Sequence, residues 1–166
     1  DLITIINEAA PGSLIYLEPG DYTVSTGEIT LNKSITLRGI YNYDKPKIHV
    51  KFKLDANSTN LSLIDIEMDG TGLTDAYAIT ITGASSNYGE ISISGCNIHD
   101  FDRSLVYGNA ASAKLSAFKI NNSIITRVNT KAGADFIDFR TTYVASIDLK
   151  NSTFNACSPG RDFVRV

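Results

Sequence analysis

Apolar and polar residues alternate along this chain in short bursts that return at a nearly constant interval. One series reads Ile35-Thr-Leu37-Arg-Gly-Ile40, Leu61-Ser-Leu63-Ile-Asp-Ile66, Ile91-Ser-Ile93-Ser-Gly-Cys96, Phe118-Lys-Ile120-Asn-Asn-Ser123 and Ile147-Asp-Leu149-Lys-Asn-Ser152. Its members start 26, 30, 27 and 29 residues apart. Each carries a polar or glycine position at Gly39, Asp65, Gly95, Asn122 or Asn151, and from the second copy on an apolar residue returns at Met68, Ile98, Ile125 and Phe154. A second series interleaves with the first: Ile48-His-Val50, Ile79-Thr-Ile81, Val106-Tyr-Gly108, Ile137-Asp-Phe139 and Val164-Arg-Val166, spaced 31, 27, 31 and 27 residues.

Alternation over four to six residues predicts a strand with one buried face. So short a strand builds no core alone, so the copies must stack. Stacking at about 4.8 Å per layer puts equivalent residues above one another, as in a parallel β-helix. The Gly/Asp/Asn positions then fall at sharp bends, which favour residues tolerant of left-handed backbone, and where Asn side chains can form ladders. A β-sandwich of short strands is the alternative. It predicts hairpin dipeptides every 8 to 12 residues, and Asp69-Gly70 alone is of that kind. The start differs. Leu2, Ile3, Ile6 and Ala9-Ala10 have helical spacing, with Asp1 or Thr4 as cap and Pro11-Gly12 as stop. Residues 1–12 are expected to cap the open end of a solenoid formed by residues 13–166.

Composition agrees. The chain of 166 residues holds 20 Ile and 7 Val but one Met and no Trp, while Ser, Thr and Asn exceed a quarter of it. That skew favours strands and turns over a helical bundle. No stretch of about 18 apolar residues is present to cross a membrane as a helix. The 15 basic residues are scattered and the net charge is −3, so neither nucleic acid nor insertion into a membrane is expected. Cys96 and Cys157 make neither a metal spacing nor a disulfide framework and are expected to be free, buried thiols.

The run Ile5-Ile-Asn-Glu-Ala-Ala-Pro-Gly-Ser-Leu-Ile-Tyr-Leu-Glu-Pro-Gly-Asp-Tyr22 resembles the opening of pectin-lyase-like right-handed β-helix proteins, which begin with a capping helix and a PGD-x-I-x-L-x-x-G-x-Y pattern. Ser13 stands where those proteins usually have Asp. The resemblance covers residues 1–40 and implies an all-β, single-stranded right-handed parallel β-helix of about six coils. The segments Ala134-Asp-Phe-Ile-Asp-Phe-Arg140 and Gly160-Arg-Asp-Phe-Val-Arg165-Val resemble domains of secreted and surface lipoproteins of gut bacteria, a group with no established activity. The implied setting is extracellular or at the cell surface. Val166 falls inside an expected strand, and six coils are few for an enzyme of this fold. The chain is therefore expected to be part of a longer one, with other domains or a second copy meeting its last coil.

Outward residues of the second series supply candidate chemistry. One column reads His49, Thr80, Tyr107, Asp138 and Arg165; another reads Lys51, Thr82, Asn109 and Arg140. Ala78, Leu105, Phe136 and Phe163, just before the inward residues, are also expected outside. Tyr107, Asn109, Phe136, Asp138, Arg140, Phe163 and Arg165 together have the makings of a sugar-binding surface: rings for C–H faces, charges and amides for hydroxyls and carboxylates. A cross-coil Asp138–Arg165 ion pair is the structural alternative. Resemblance to polysaccharide lyases implies a different role, with Arg140 or Arg165 as base, Asp138 nearby, and Ca²⁺ on Asp135, Asp138 and Asp162. No cofactor is expected otherwise.

Other features read as structural. Asp100 and Asp102, beside His99 and Arg103, resemble a solvated turn. The run Glu67-Met-Asp69-Gly-Thr-Gly72 lacks the spacing of a Ca²⁺ loop and reads as a surface turn. His49 and His99 are far apart in sequence and form no zinc motif. Asn32, Asn57, Asn60, Asn121 and Asn151 begin Asn-x-Ser/Thr patterns that the composition alone accounts for. The leading expectation is a non-catalytic glycan-binding or adhesin-like module; the alternative is a lyase or hydrolase acting on uronate-containing glycans.

Overall fold

The computed structural model of the chain describes residues 1–55, 59–131 and 133–166. It is a parallel β-solenoid of six rungs, about five full turns, with three faces. The first face stacks Ser13–Leu17, Ile35–Gly39, Leu61–Ile64, Asn87–Ser94 and Ala113–Asn121, ending in Thr142–Val144 and Ile147–Lys150. The second and third faces begin as one continuous strand in each of the first two rungs, Asp21–Leu31 and Lys47–Leu54. From the third rung they separate. The second face continues through Glu67–Asp69, Asn97–Phe101, Ile124–Val128 and Thr153–Asn155. The third continues through Ile79–Ile81, Val106–Gly108, Ile137–Asp138 and Val164–Arg165.

Ile, Leu, Val and Phe at inward positions stack into one core that runs the length of the solenoid. Fully burying such a side chain contributes about 1.5–3 kcal/mol. Corners fall where the sequence placed them: Asp65, Gly95, Asn122 and Asn151 all have positive φ, between 48° and 65°. Gly39 turns without it, for another reason. A Cβ there would lie 2.2 Å from the Asp65 carbonyl oxygen. Just past this corner the backbone NH of Cys96 donates to Ser123 Oγ, and that of Ser123 to Ser152 Oγ, both at 3.1 Å. The expected asparagine ladder takes the form of Asn151 Nδ2 donating to Asn121 Oδ1 at 3.4 Å. Cys96 and Cys157 are free. Burial pushes the Cys96 thiol up to about 12.

The helix is shorter than residues 1–12, spanning Leu2–Glu8. Asp1 caps it, its carboxylate accepting from the Ile3 NH. Leu2 and Ile6 face the core. Ala9 is already extended, and Lys33 Nζ, reaching across from the next rung, donates to the Asn7 and Ala9 carbonyls. At the far end Phe136, Phe154 and Phe163 pack together: Phe163 stacks on Phe136 at 4.7 Å, and Phe154 meets both edge-on.

Two expectations about orientation need correction. Ala78, Leu105 and Phe136 are fully buried, and Phe163 is 38% exposed. They precede the third-face strands at a corner, where two consecutive side chains, such as Phe136 and Ile137, both turn inward. Phe136 is a core residue and cannot contact a ligand. The second correction concerns register. Ile79 stacks on Phe52, not on Ile48. Thr80 therefore lies beside Lys53, while Ile48 stacks on Met68. His49 and Lys51 leave the proposed columns, and His49 joins the second face.

Candidate functional site

On the third face, the outward column runs Thr30, Lys53, Thr80, Tyr107, Asp138 and Arg165. Next to it run Thr82, Asn109 and Arg140, with Thr82 Oγ1 donating to Asp55 at 3.0 Å. Tyr107 is half-buried, and its ring stacks on Tyr77 with centroids 4.6 Å apart and planes inclined by 19°. Sequence reasoning missed Tyr77, which precedes its strand in the corner.

Below this aromatic pair lies an arginine–aspartate node. Asp135 and Asp138 are both fully buried; Asp138 holds its expected place in the outward column but is covered there. Arg140 folds back over them. Its Nε donates to Asp138 Oδ1 at 2.9 Å, and its Nη2 reaches Asp138 Oδ2 and, at 2.7 Å, Asp135 Oδ2. Asp135 also accepts from Arg161 Nε at 3.2 Å, from Arg165 Nη1 at 3.4 Å and from the Asp162 NH at 3.2 Å. Burial opposes ionisation of Asp135, but the hydrogen bonds and charge of Arg161, helped by the Asp162 NH and Arg165, hold its carboxyl below the usual range. The expected Asp138–Arg165 pair is replaced by Asp138–Arg140 and Asp135–Arg165. Asp135, Asp138 and Asp162 do not form a calcium cage, because guanidinium groups take the buried carboxylate oxygens and Asp162 contributes its backbone.

The second face carries a cluster that the sequence did not announce. Its outward column reads Thr23, His49, Asp69, His99, Thr126 and Asn155. Glu67 and Asp69 lie in a strand rather than in a surface turn, and Asp69 is buried. His99 Nε2 stands 3.2 Å from Glu67 Oε1, and its Nδ1 stands 3.7 Å from Asp69 Oδ1. His49 Nδ1 lies 3.8 Å from Asp69 Oδ2. The two histidines, 50 residues apart in sequence, thus flank one carboxylate. Asp100 is no plain solvated turn. Its carboxylate bonds His99 Nδ1 at 2.7 Å and takes two bonds from Arg127. Arg127, aided by His99, holds the Asp100 carboxyl at about 2 against the opposing effect of burial. Asp102 accepts from the Ala76 NH at 2.6 Å and so ties one rung to the next.

The stacked apolar residues Met68 and Ile98 held the available signal. Their outward neighbours on either side are Glu67 and Asp69, and Asn97 and His99. Among the Asn-x-Ser/Thr positions, Asn57 lies outside the described residues. Asn60 spends its amide on Ser34 and on the Glu90 NH.

No curated protein matches the chain. The family described as "Domain of unknown function (DUF4957)" matches residues 20–157, which run from the first second-face strand to the corner after the last one. With that span covering most of the solenoid, the chain belongs to the DUF4957 family.

Proposed function

We propose that this chain is a non-catalytic glycan-binding module with a pectin-lyase-like right-handed β-helix fold, carried by a secreted or cell-surface bacterial protein. The stacked Tyr77–Tyr107 pair carries this reading. Half-buried rings on a rigid sheet, beside exposed Asn109 and the Arg140 guanidinium, offer a flat surface for a sugar ring and donors for its carboxylate. Arg140 also lines a depression of about 580 Å³ together with Lys114, Phe139 and Tyr143. The cationic side chains favour an anionic sugar.

The node argues against Arg140 as a catalytic base. Its hydrogen bonds to Asp138 raise its affinity for the proton, whereas a base must give the proton up near neutral pH. Calorimetric titration with oligogalacturonates tests the proposal. Binding without release of unsaturated products is expected, with affinity reduced at least about tenfold in Tyr107→Ala. Absence of binding to uronate and sulfated oligosaccharides, or binding unchanged in Tyr107→Ala, would refute it. Appearance of unsaturated uronate ends would establish the lyase alternative instead.

A further inference from the structure

We infer that Glu67, Asp69 and His99 form a binding site for a transition-metal ion of the zinc class, on the second face and independent of the proposed sugar surface. One ligand atom from each of the three residues lies within 4.8 Å of the others. A four-coordinate zinc ion, with bonds of about 2.0–2.2 Å, needs its ligand atoms about 3.3 Å apart. His99 Nε2 and Glu67 Oε1 already stand at 3.2 Å. Asp69 Oδ1 lies 3.7 Å from His99 Nδ1 and accepts from the Thr71 NH at 2.9 Å, so the carboxylate must turn to bring its other oxygen to the metal.

The imidazole is oriented for the task. Asp100 Oδ2 lies 2.7 Å from His99 Nδ1 and anchors that side of the ring, while Nε2 faces Glu67 Oε1 at 3.2 Å. The carboxylate behind the ring is the outer-shell arrangement that metal-ligating histidines use. Asp100 is itself held by both bonds from Arg127, so the ring has a rigid support.

His49 approaches Asp69 from the preceding rung at 3.8 Å, with Asp21 beside its other nitrogen at 4.0 Å. It lies outside the three-residue group and touches it only through Asp69. Two carboxylates with one or two imidazoles favour Zn²⁺, Ni²⁺ or Cu²⁺ over Ca²⁺ and Mg²⁺, which prefer all-oxygen shells. Lys47 is the competitor. Its Nζ holds Glu67 Oε1 at 3.0 Å and must yield that oxygen when a metal binds.

The test is calorimetric titration of zinc chloride into the metal-free full chain, with calcium and magnesium chlorides as controls. One zinc site per chain is expected, with no binding of calcium in the same concentration range. His99→Ala and Glu67→Gln should each weaken zinc at least about tenfold, and Asp100→Asn should do so by about 10–100-fold. Lys47→Met removes the competing cation without adding a ligand and should tighten zinc. Failure to tighten counts against Glu67 as a ligand and therefore against the site. Circular dichroism of each metal-free variant confirms that the solenoid is intact. The assignment is overturned if the parent chain binds no zinc, or if zinc binds equally well to His99→Ala and Glu67→Gln.

Discussion

The ionic clusters on the second and third faces are built in opposite ways. In the Asp135–Asp138 node, both carboxylates are sealed from solvent, and Arg140, Arg161 and Arg165 converge on them. In the Glu67–Asp69 cluster the carboxylates keep some exposure, and their partners are Lys47, His49 and His99. Depth sets the difference. A fully buried carboxylate left unpaired costs several kcal/mol, so its counter-charge must be permanent, and arginine supplies that at any pH the fold meets. Glu67 and Asp69 keep 24% and 11% of their side-chain surface in water, and a carboxylate with that access tolerates a histidine, whose charge is conditional. The first arrangement locks the final rungs together; the second leaves room for exchange of one cation for another.

The sharpest way to break this contrast is Asp135→Ala. It leaves Arg161 and Arg165 without their carboxylate and Arg140 with Asp138 alone, and should cost about 3–5 kcal/mol, or roughly 10 °C in thermal unfolding for a chain of this size. A loss under about 1 kcal/mol would show that burial does not separate the clusters. Asp138→Asn keeps the volume and removes the charge facing Arg140. Chemical denaturation should register about 1.5–3 kcal/mol, the worth of hydrogen bonds to a charged group. On the other face, His99→Ala in metal-free protein should cost under about 1 kcal/mol, because these pairs are partly solvated. A double-mutant cycle with Glu67→Gln isolates that coupling.

Acid titration sharpens the contrast with the smallest effect. Asp135 and Asp100 both titrate below their ordinary values in the folded chain, Asp100 at about 2. Their stabilisation is therefore complete above the unfolded carboxylate value near 4 and is lost as pH falls through the folded values. Asp100→Asn should flatten the lowest part of the stability–pH curve, while costing under about 1 kcal/mol at neutral pH. A curve of unchanged shape in that variant would mean that Arg127 does not hold Asp100.

Much of the solenoid was legible because its determinants are local. The apolar alternation at Ile91 and Ile93 and the left-handed corner at Gly95 need only near neighbours to be read. Phe136 was misread because alternation governs extended backbone, and the residue entering the third face sits in a corner. His49 was misplaced for a related reason. Lys47–Leu54 alternates without a break over eight residues, so Ile48, Val50, Phe52 and Leu54 are equivalent candidates for stacking. In the fourth to sixth rungs, Asp100, Arg127 and Ala156 turn at positive φ and mark the corner between the two faces. No such marker divides Lys47–Leu54.

The sequence by itself determined the repeat, the inward residues of most strands, the first-face corners and the capping helix. Those follow from side-chain periodicity and backbone preference, which act over a few residues. Only the tertiary structure decided which outward side chains meet. Rung lengths vary, and a single register choice moves every neighbour on a face, so His49, Asp69 and His99 converge although 50 residues separate the histidines. Tertiary structure also decided that Asp135 and Asp138 lie beneath arginine rather than open to a metal. A carboxylate's chemistry depends on what covers it, and that cover comes from other rungs.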